Sequence, residues 1–209
     1  MEKEENNNFF TFGMIKPDGV EHREEIIKMI YAKGLKVYYA KACYLTDNLI
    51  EENYLHCIGR DFYPEMKENL KSGPVILMLI YDREGNACKK YREVLGATKS
   101  WEADKDTIRG MFGNKKVACK NAAHGSGNPK EADEEILRFF KDDMVEIIKS
   151  VDNEKKKEYE QSMLGRKLST NKCVYTDSYF EREKIEEIEK EYKREPVRHR
   201  RARGPDLRH

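Results

Sequence analysis

At 209 residues, with a formal net charge of +1 and 38% of its residues hydrophobic, the chain can build one substantial domain and an extension. The near-neutral balance gives no global case for nucleic-acid or membrane binding, and no apolar run is long enough to span a bilayer. The five cysteines (Cys43, Cys57, Cys88, Cys119 and Cys173) are scattered and form no CxxC pair, which argues against a disulfide scaffold or a zinc site and for reduced thiols in a cytosol.

The opening "MEKEENNN" is acidic and polar and lacks the apolar region of a targeting segment. "FFTFGMIKP" reads as a short strand ending at Pro17. "EHREEIIKMIYAKG" sets Ile26, Ile27, Ile30 and Tyr31 on one helical face, with Gly34 as its stop. "LKVYYAKACYL" is rich in strand formers. Thr46 or Asp47 caps the next helix, which carries Leu49, Ile50 and Tyr54, and a second helix around Met66 and Leu70 stops at Ser72-Gly73-Pro74. "PVILMLIY" is a continuous apolar run, as a central strand covered on both faces would be. "ACKKYREVLG" is a helix stopped at Gly96. From Ala97 to about Lys115 the periodicity fails, which predicts a long functional loop. "VACKNAA" reads as one more strand. "NPKEADEEILRFF" opens a helix with Asn128 as N-cap, Pro129 at the first turn and Glu131 completing a capping-box-like pair.

That order, β-α-β-α-α-β-α-loop-β-α, predicts an α+β fold with helices packed on one sheet. The division expected is a flexible 1–8, a domain over 9–142, and a charged extension over 143–209. The extension includes a charged helix, "EREKIEEIEKEYKRE", and a basic end, "PVRHRRARGPDLRH", which reads as disordered. Its arginines offer contacts to RNA phosphates or acidic proteins, but a solvated tail is the preferred reading.

The chemistry concentrates in "CKNAAHGSGNPKEADEEI", residues 119–136. A lone His124 stands among small residues just ahead of a helix, as if room were left around the imidazole. Neutral imidazole is a nucleophile near pH 7. No second His or Cys stands at ligand spacing for a metal, and "HGS" makes no nucleophile elbow. Phosphoryl transfer needs cations and N–H donors around the moving group. Lys16, Arg92, Thr98, Arg109 and Asn121 are candidates for that role. Cys119, nearby, reads as a small core residue.

Together "MIKPDGV", "SGPV", "LGAT", "TIRG" and "NAAHGS", in this order, resemble the nucleoside diphosphate kinase family from about Phe9 to Phe140. The resemblance implies a ferredoxin-like fold, an antiparallel four-stranded sheet with helices over it. It implies His124 as the nucleophile that takes the γ-phosphoryl of ATP and passes it to a nucleoside diphosphate in a ping-pong route. Magnesium (Mg2+) would be carried on the nucleotide phosphates. Glu135 falls on the acid that orients the histidine and Ser126 on the hydroxyl beside it. Lys16, Tyr54, Arg92, Thr98, Arg109 and Asn121 fall on phosphate- and sugar-contacting positions. Phe62 falls where a ring stacks on the base, and Met66 on an apolar position nearby. A cytoplasmic homo-oligomer is the expected assembly. A competing reading keeps the fold but not the catalysis, as a nucleotide-binding scaffold.

The chain departs from the family pattern in its loops. "HGSDS" becomes "HGSGN", with Gly127 in place of the acid. "RGDF" becomes "RGMF" at Met111, "NKK" is inserted before His124, and "KSW" follows Thr98.

Overall fold

The computed structural model describes residues 8–144, 147, 174–175, 187 and 190. Its sheet is built on β1 (Phe10–Ile15), β2 (Lys36–Tyr44), β3 (Val75–Tyr81) and β4 (Ala123–Gly125), all antiparallel to their neighbours. A two-residue strand, β5 (Val174–Tyr175), adds to the outer edge of β2 through Cys43–Tyr175 and Tyr44–Val174, so the spatial order is β4-β1-β3-β2-β5. The four-stranded core is the expected one. The fifth strand comes from the segment assigned to the extension, where no strand was expected.

Every residue of β1 and of β3 is buried. Strand side chains alternate between faces, and both faces here are apolar. Phe10, Phe12, Met14, Leu77 and Leu79 face one core with α2 (Asp47–Asn53), α3 (Tyr63–Lys71) and α6 (Pro129–Phe140). Ile15, Ile76, Met78 and Ile80 face a second core with α1 (Arg23–Ala32), α4 (Ala87–Leu95) and α5 (Ile108–Phe112). The uninterrupted apolar run at β3 is the direct result, because neither of its faces meets water.

Helix ends follow their caps. Thr46 accepts from the Leu49 N–H at 3.3 Å and Asn128 from the Glu131 N–H at 2.9 Å. Gly96 ends α4 at φ +78°, a backbone region open to glycine at no steric cost. The far end of α6 is tied to β2 by buried Lys41, whose Nζ donates to the Phe139 carbonyl at 2.7 Å and pairs with Asp143. The Tyr39 hydroxyl donates to the same carboxylate at 3.0 Å.

Two expectations need correction. The strand at "VACKNAA" is displaced to Ala123–Gly125. Upstream, Asn114 accepts from the Lys116 and Val117 N–H groups, and the Lys120 N–H turns back to the Val117 carbonyl. Ala122 then stands at φ +65°, which no extended strand can pass through. The segment from Ala97 to Lys115 is also not all loop. Thr107 caps α5 by accepting from the Gly110 N–H at 3.2 Å. A five-residue helix is too short for its periodicity to register in sequence. The charged helix expected after Phe180 and the basic end lie outside the described residues, except Glu187 and Lys190, which are helical and exposed.

Candidate active site

His124 is the middle residue of β4, paired with Met14 of β1. Strand alternation turns its side chain to the face opposite Ala123 and Gly125. That revises the reason for its small neighbours. A side chain at Gly125 would come within 2.6 Å of the Tyr91 ring and 2.8 Å of Leu95, and Ala123 is fully buried in the second core. The neighbours are small because α4 packs against the back of β4, and the imidazole looks the other way.

On its own face the imidazole is held firmly. Its Nε2 lies 2.7 Å from Glu135 Oε1. An ionised carboxylate only accepts, so Nε2 carries the proton and Nδ1 keeps the lone pair. Glu135, in the second turn of α6, is 2% exposed. Burial disfavours its charge, but attraction to His124 and hydrogen bonds from His124, Ser126 and Asn53 outweigh that and hold its pKa below the usual carboxylate value. Ser126 Oγ donates to the other carboxylate oxygen at 2.5 Å. Ser126 therefore acts on the histidine through Glu135. Asn53 Nδ2 donates to Oε1 at 3.0 Å, and Arg138 fixes Asn53 by donating to its Oδ1 at 2.7 Å. The Tyr54 ring stands edge-on to the imidazole, 5.7 Å between centroids. Burial, and then the charge of Glu135, keep its phenol neutral by raising its pKa.

The residues before His124 meet a second group. Asp18 accepts from the Ala122 N–H at 2.8 Å, and from Asn69 Nδ2 at 2.9 Å, which holds Ala122 in its positive-φ conformation. A side chain at Gly19 would meet the Ala122 carbonyl oxygen at 2.4 Å, so glycine is what lets this turn approach β4. Lys16, at the end of β1, donates from Nζ to Asn121 Oδ1 at 2.7 Å and to the Cys119 carbonyl at 3.1 Å. Burial lowers its pKa to about 8, with Asp18 opposing and Arg109 adding to the effect. Asn121 Nδ2 donates to the Thr98 carbonyl at 2.9 Å. Arg109 donates from Nε and Nη2 to the Ala123 carbonyl, both at 3.2 Å, and from Nη1 to the Gly96 carbonyl at 3.1 Å. Burial and repulsion from Arg92 lower the Arg109 pKa, partly offset by Tyr91. Arg109 thus meets a like charge from both Lys16 and Arg92, an arrangement that a bound anion would relieve.

The structure brings His124, Glu135, Ser126 and Tyr54 into one contact network, and Lys16, Asn121, Thr98 and Arg109 into the adjoining one. Arg92 is exposed on α4 and lines a cavity of about 550 Å³ with Asn86, Lys89, Gly127 and Asn128. Phe62, at the start of α3, is half exposed, and Met66 is buried in the first core. Neither touches His124 through a contact described above. Sequence reasoning missed Asn53, Arg138 and Asp18. The spacing of Glu131, Glu135 and Arg138 at i, i+4 and i+7 was a usable signal, since it sets all three on one face of α6.

His124, Glu131 and Glu135 offer ligand atoms within 4.8 Å of one another. Glu135 already accepts from three donors and Glu131 from the Gly127 N–H at 2.8 Å. These oxygens are committed to holding His124, Ser126 and the turn before α6.

An antiparallel ferredoxin-like sheet with a carboxylate-held imidazole and a cluster of cations at one corner defines an α+β protein suited to phosphate-bearing substrates. Comparison with known proteins narrows this class. The family model described as Nucleoside diphosphate kinase matches residues 10–145. A nucleoside diphosphate kinase of Coxiella burnetii is 40% identical over 140 residues, covering 65% of this chain and 96% of that protein. One from Archaeoglobus fulgidus is 36% identical over 137 residues, covering 65% and 88%. Among solved structures, the Halobacterium salinarum enzyme in complex with CDP superposes with a TM-score of 0.57 at 32% identity, covering 62% of this chain and 85% of that one. The chain belongs to the nucleoside diphosphate kinase family, whose enzymes transfer phosphoryl groups between nucleotides. Among the described residues, no helix is long and apolar enough to cross a membrane.

Proposed function

We propose that His124 Nδ1 is the nucleophile of a ping-pong transfer. Nδ1 attacks the γ-phosphorus of a nucleoside triphosphate. A P–N bond forms as the bond to the β,γ-bridging oxygen breaks, and the diphosphate leaves with that electron pair. A second nucleoside diphosphate then takes the phosphoryl group by the reverse steps. The observation that carries this reading is the 2.7 Å contact between Nε2 and Glu135, which commits one ring nitrogen as a donor and leaves the other basic.

Lys16, Arg92 and Arg109 supply positive charge to the phosphates, with Thr98 and Asn121 as neutral partners to phosphate and sugar. The carbonyls that Lys16 and Arg109 now hold are weaker partners than a phosphate, so exchange is favourable. Tyr54 closes the pocket beside the imidazole. Phe62, half exposed at the start of α3 and one turn before Met66, offers its ring for a base to stack on. Stacking accepts any base. Magnesium carried on the nucleotide would spread the charge of its phosphates, beside the cations of Lys16, Arg92 and Arg109. The CDP held by the Halobacterium relative supports a nucleoside diphosphate as the acceptor here. Residues 9–142 form the catalytic domain and 143–209 an extension. The protein works in the cytoplasm as a homo-oligomer.

The test is radiolabel transfer from γ-labelled ATP with magnesium to the intact protein. Wild type should take up acid-labile, base-stable label, and His124→Ala should take up none while still binding nucleotide. Equal label on both would remove His124 from the mechanism.

A further inference from the structure

We propose that Glu131 is a positioning residue of the transfer reaction, paired with Gly127 in a device that holds the turn between His124 and α6. The proposal rests on His124 as the nucleophile.

The turn Gly125–Asn128 links β4 to α6, and Ser126 within it bonds Glu135. The first turn of a helix leaves N–H groups without intrahelical partners. Asn128 satisfies one by accepting from the Glu131 N–H at 2.9 Å. Glu131 reaches back past Asn128, and its Oε2 accepts from the Gly127 N–H at 2.8 Å. In a capping box the glutamate would return to the N-cap residue itself. Here the bond falls one residue earlier, on the peptide that follows Ser126.

Gly127 makes this reach available. A side chain there would stand 2.6 Å from Glu131 Oε2, and among the described residues beyond its chain neighbours the only other atom within 4 Å is Glu131 Cδ, at 3.7 Å. Its φ is not positive, so glycine is not needed there for backbone conformation. What the missing side chain provides is the space for the carboxylate. Position 127 is where the chain departs from the "HGSDS" pattern, and the carboxylate near this turn is supplied from the helix instead.

The arrangement places two carboxylates on consecutive turns of α6. Glu135 holds His124 and Ser126, and Glu131 holds the residue next to Ser126. An oxygen of Glu131 also lies within 4.8 Å of ligand atoms of both His124 and Glu135. If the Gly127 peptide is released, Ser126 Oγ can drift from Glu135, and the carboxylate that sets the ring orientation loses one of its donors. The effect should fall on the transfer step, because the groups that would hold the nucleotide come from the end of β1, the segment from Tyr54 to Met66, α4, α5, the loop after Gly96 and Asn121, none of them in this turn.

The experiment compares single-turnover label transfer from γ-labelled ATP, and nucleotide affinity, in Glu131→Ala, Glu131→Gln, Gly127→Ala and the Gly127→Ala/Glu131→Ala double variant. Loss of one such hydrogen bond predicts transfer slower by about tenfold in Glu131→Ala, with affinity unchanged. Gln retains the acceptor oxygen and should restore the rate to within about twofold of wild type. Gly127→Ala should match Glu131→Ala, and the double variant should be no slower than either single one, because both remove the same contact. A wild-type rate in Glu131→Ala, a Gln variant as slow as Ala, or single effects that multiply would each overturn the proposal. If Glu131→Ala does not fold, Gln and Gly127→Ala carry the same comparison. Label on a parallel His124→Ala sample equal to wild type would instead show that the nucleophile is misassigned, and the proposal would fall with it.

Discussion

The two sides of β4 are built on opposite principles. Beyond His124, carboxylates and their donors satisfy one another: imidazole, Ser126 and Asn53 converge on Glu135, and Arg138 holds Asn53. Before it, the cations Lys16 and Arg109 spend their hydrogen bonds on an amide oxygen and backbone carbonyls. The first side has no reason to rearrange when a substrate arrives. The second holds charged donors on neutral acceptors, a state that an anion improves. On the proposed mechanism the two sides divide the work: the phosphates would change places on the cations while the ring stays fixed.

The strongest challenge to this contrast is Arg109→Ala. An arginine meeting phosphate acts in both ground and transition states, so nucleotide affinity and turnover should fall together, by about a hundredfold in kcat/KM for charge-assisted hydrogen bonds. Wild-type affinity and turnover in this variant would place Arg109 on the structural side of the division. A smaller effect is expected from Glu135→Gln. The amide can still accept from Nε2, but a neutral group fixes the ring less firmly. Transfer should slow by about tenfold, less than the complete loss at His124, with affinity retained. Weakened nucleotide binding instead would mean that the two sides are not separate.

The finest test uses pH. Burial lowers the Lys16 pKa to about 8, so in the free enzyme its charge is lost as pH rises through that value. The kcat/KM profile should fall on the alkaline side with a midpoint near it, and Lys16→Arg should remove that limb because arginine stays charged. Stability should respond with the opposite sign. The folded chain gives up the Lys16 proton near pH 8, whereas the unfolded chain holds it up to the ordinary lysine range. Lys16 therefore makes folding more favourable as pH rises through that window. A Lys16→Met variant should lose that rise in denaturation experiments, and a slope equal to wild type would show that Lys16 is not buried as a charged group.

Much of this molecule was already legible in local pattern. The apolar run at β3 announced a strand covered on both sides, Gly34 and Gly96 marked helix ends, and Asn128 with Pro129 marked the start of α6, because each is a consequence of backbone sterics or one hydrogen bond within a few residues. The ordered motifs around Lys16, Arg109 and His124 carried the family. What local pattern could not carry are contacts across long stretches of chain. Asn53 meets Glu135 from 82 residues away, and Asp18 meets Ala122 from 104. The true start of β4 depended on that Asp18 contact and on the turn around Asn114. The small residues beside His124 invited a reading as room for substrate. Only the packing of Tyr91 behind the strand showed that their size answers to the opposite face, because alternation along a strand separates neighbours in sequence into different environments. The reach of Glu131 to Gly127 belongs to the same kind. The sequence names both residues, and the fold alone decides that one occupies the space the other leaves open.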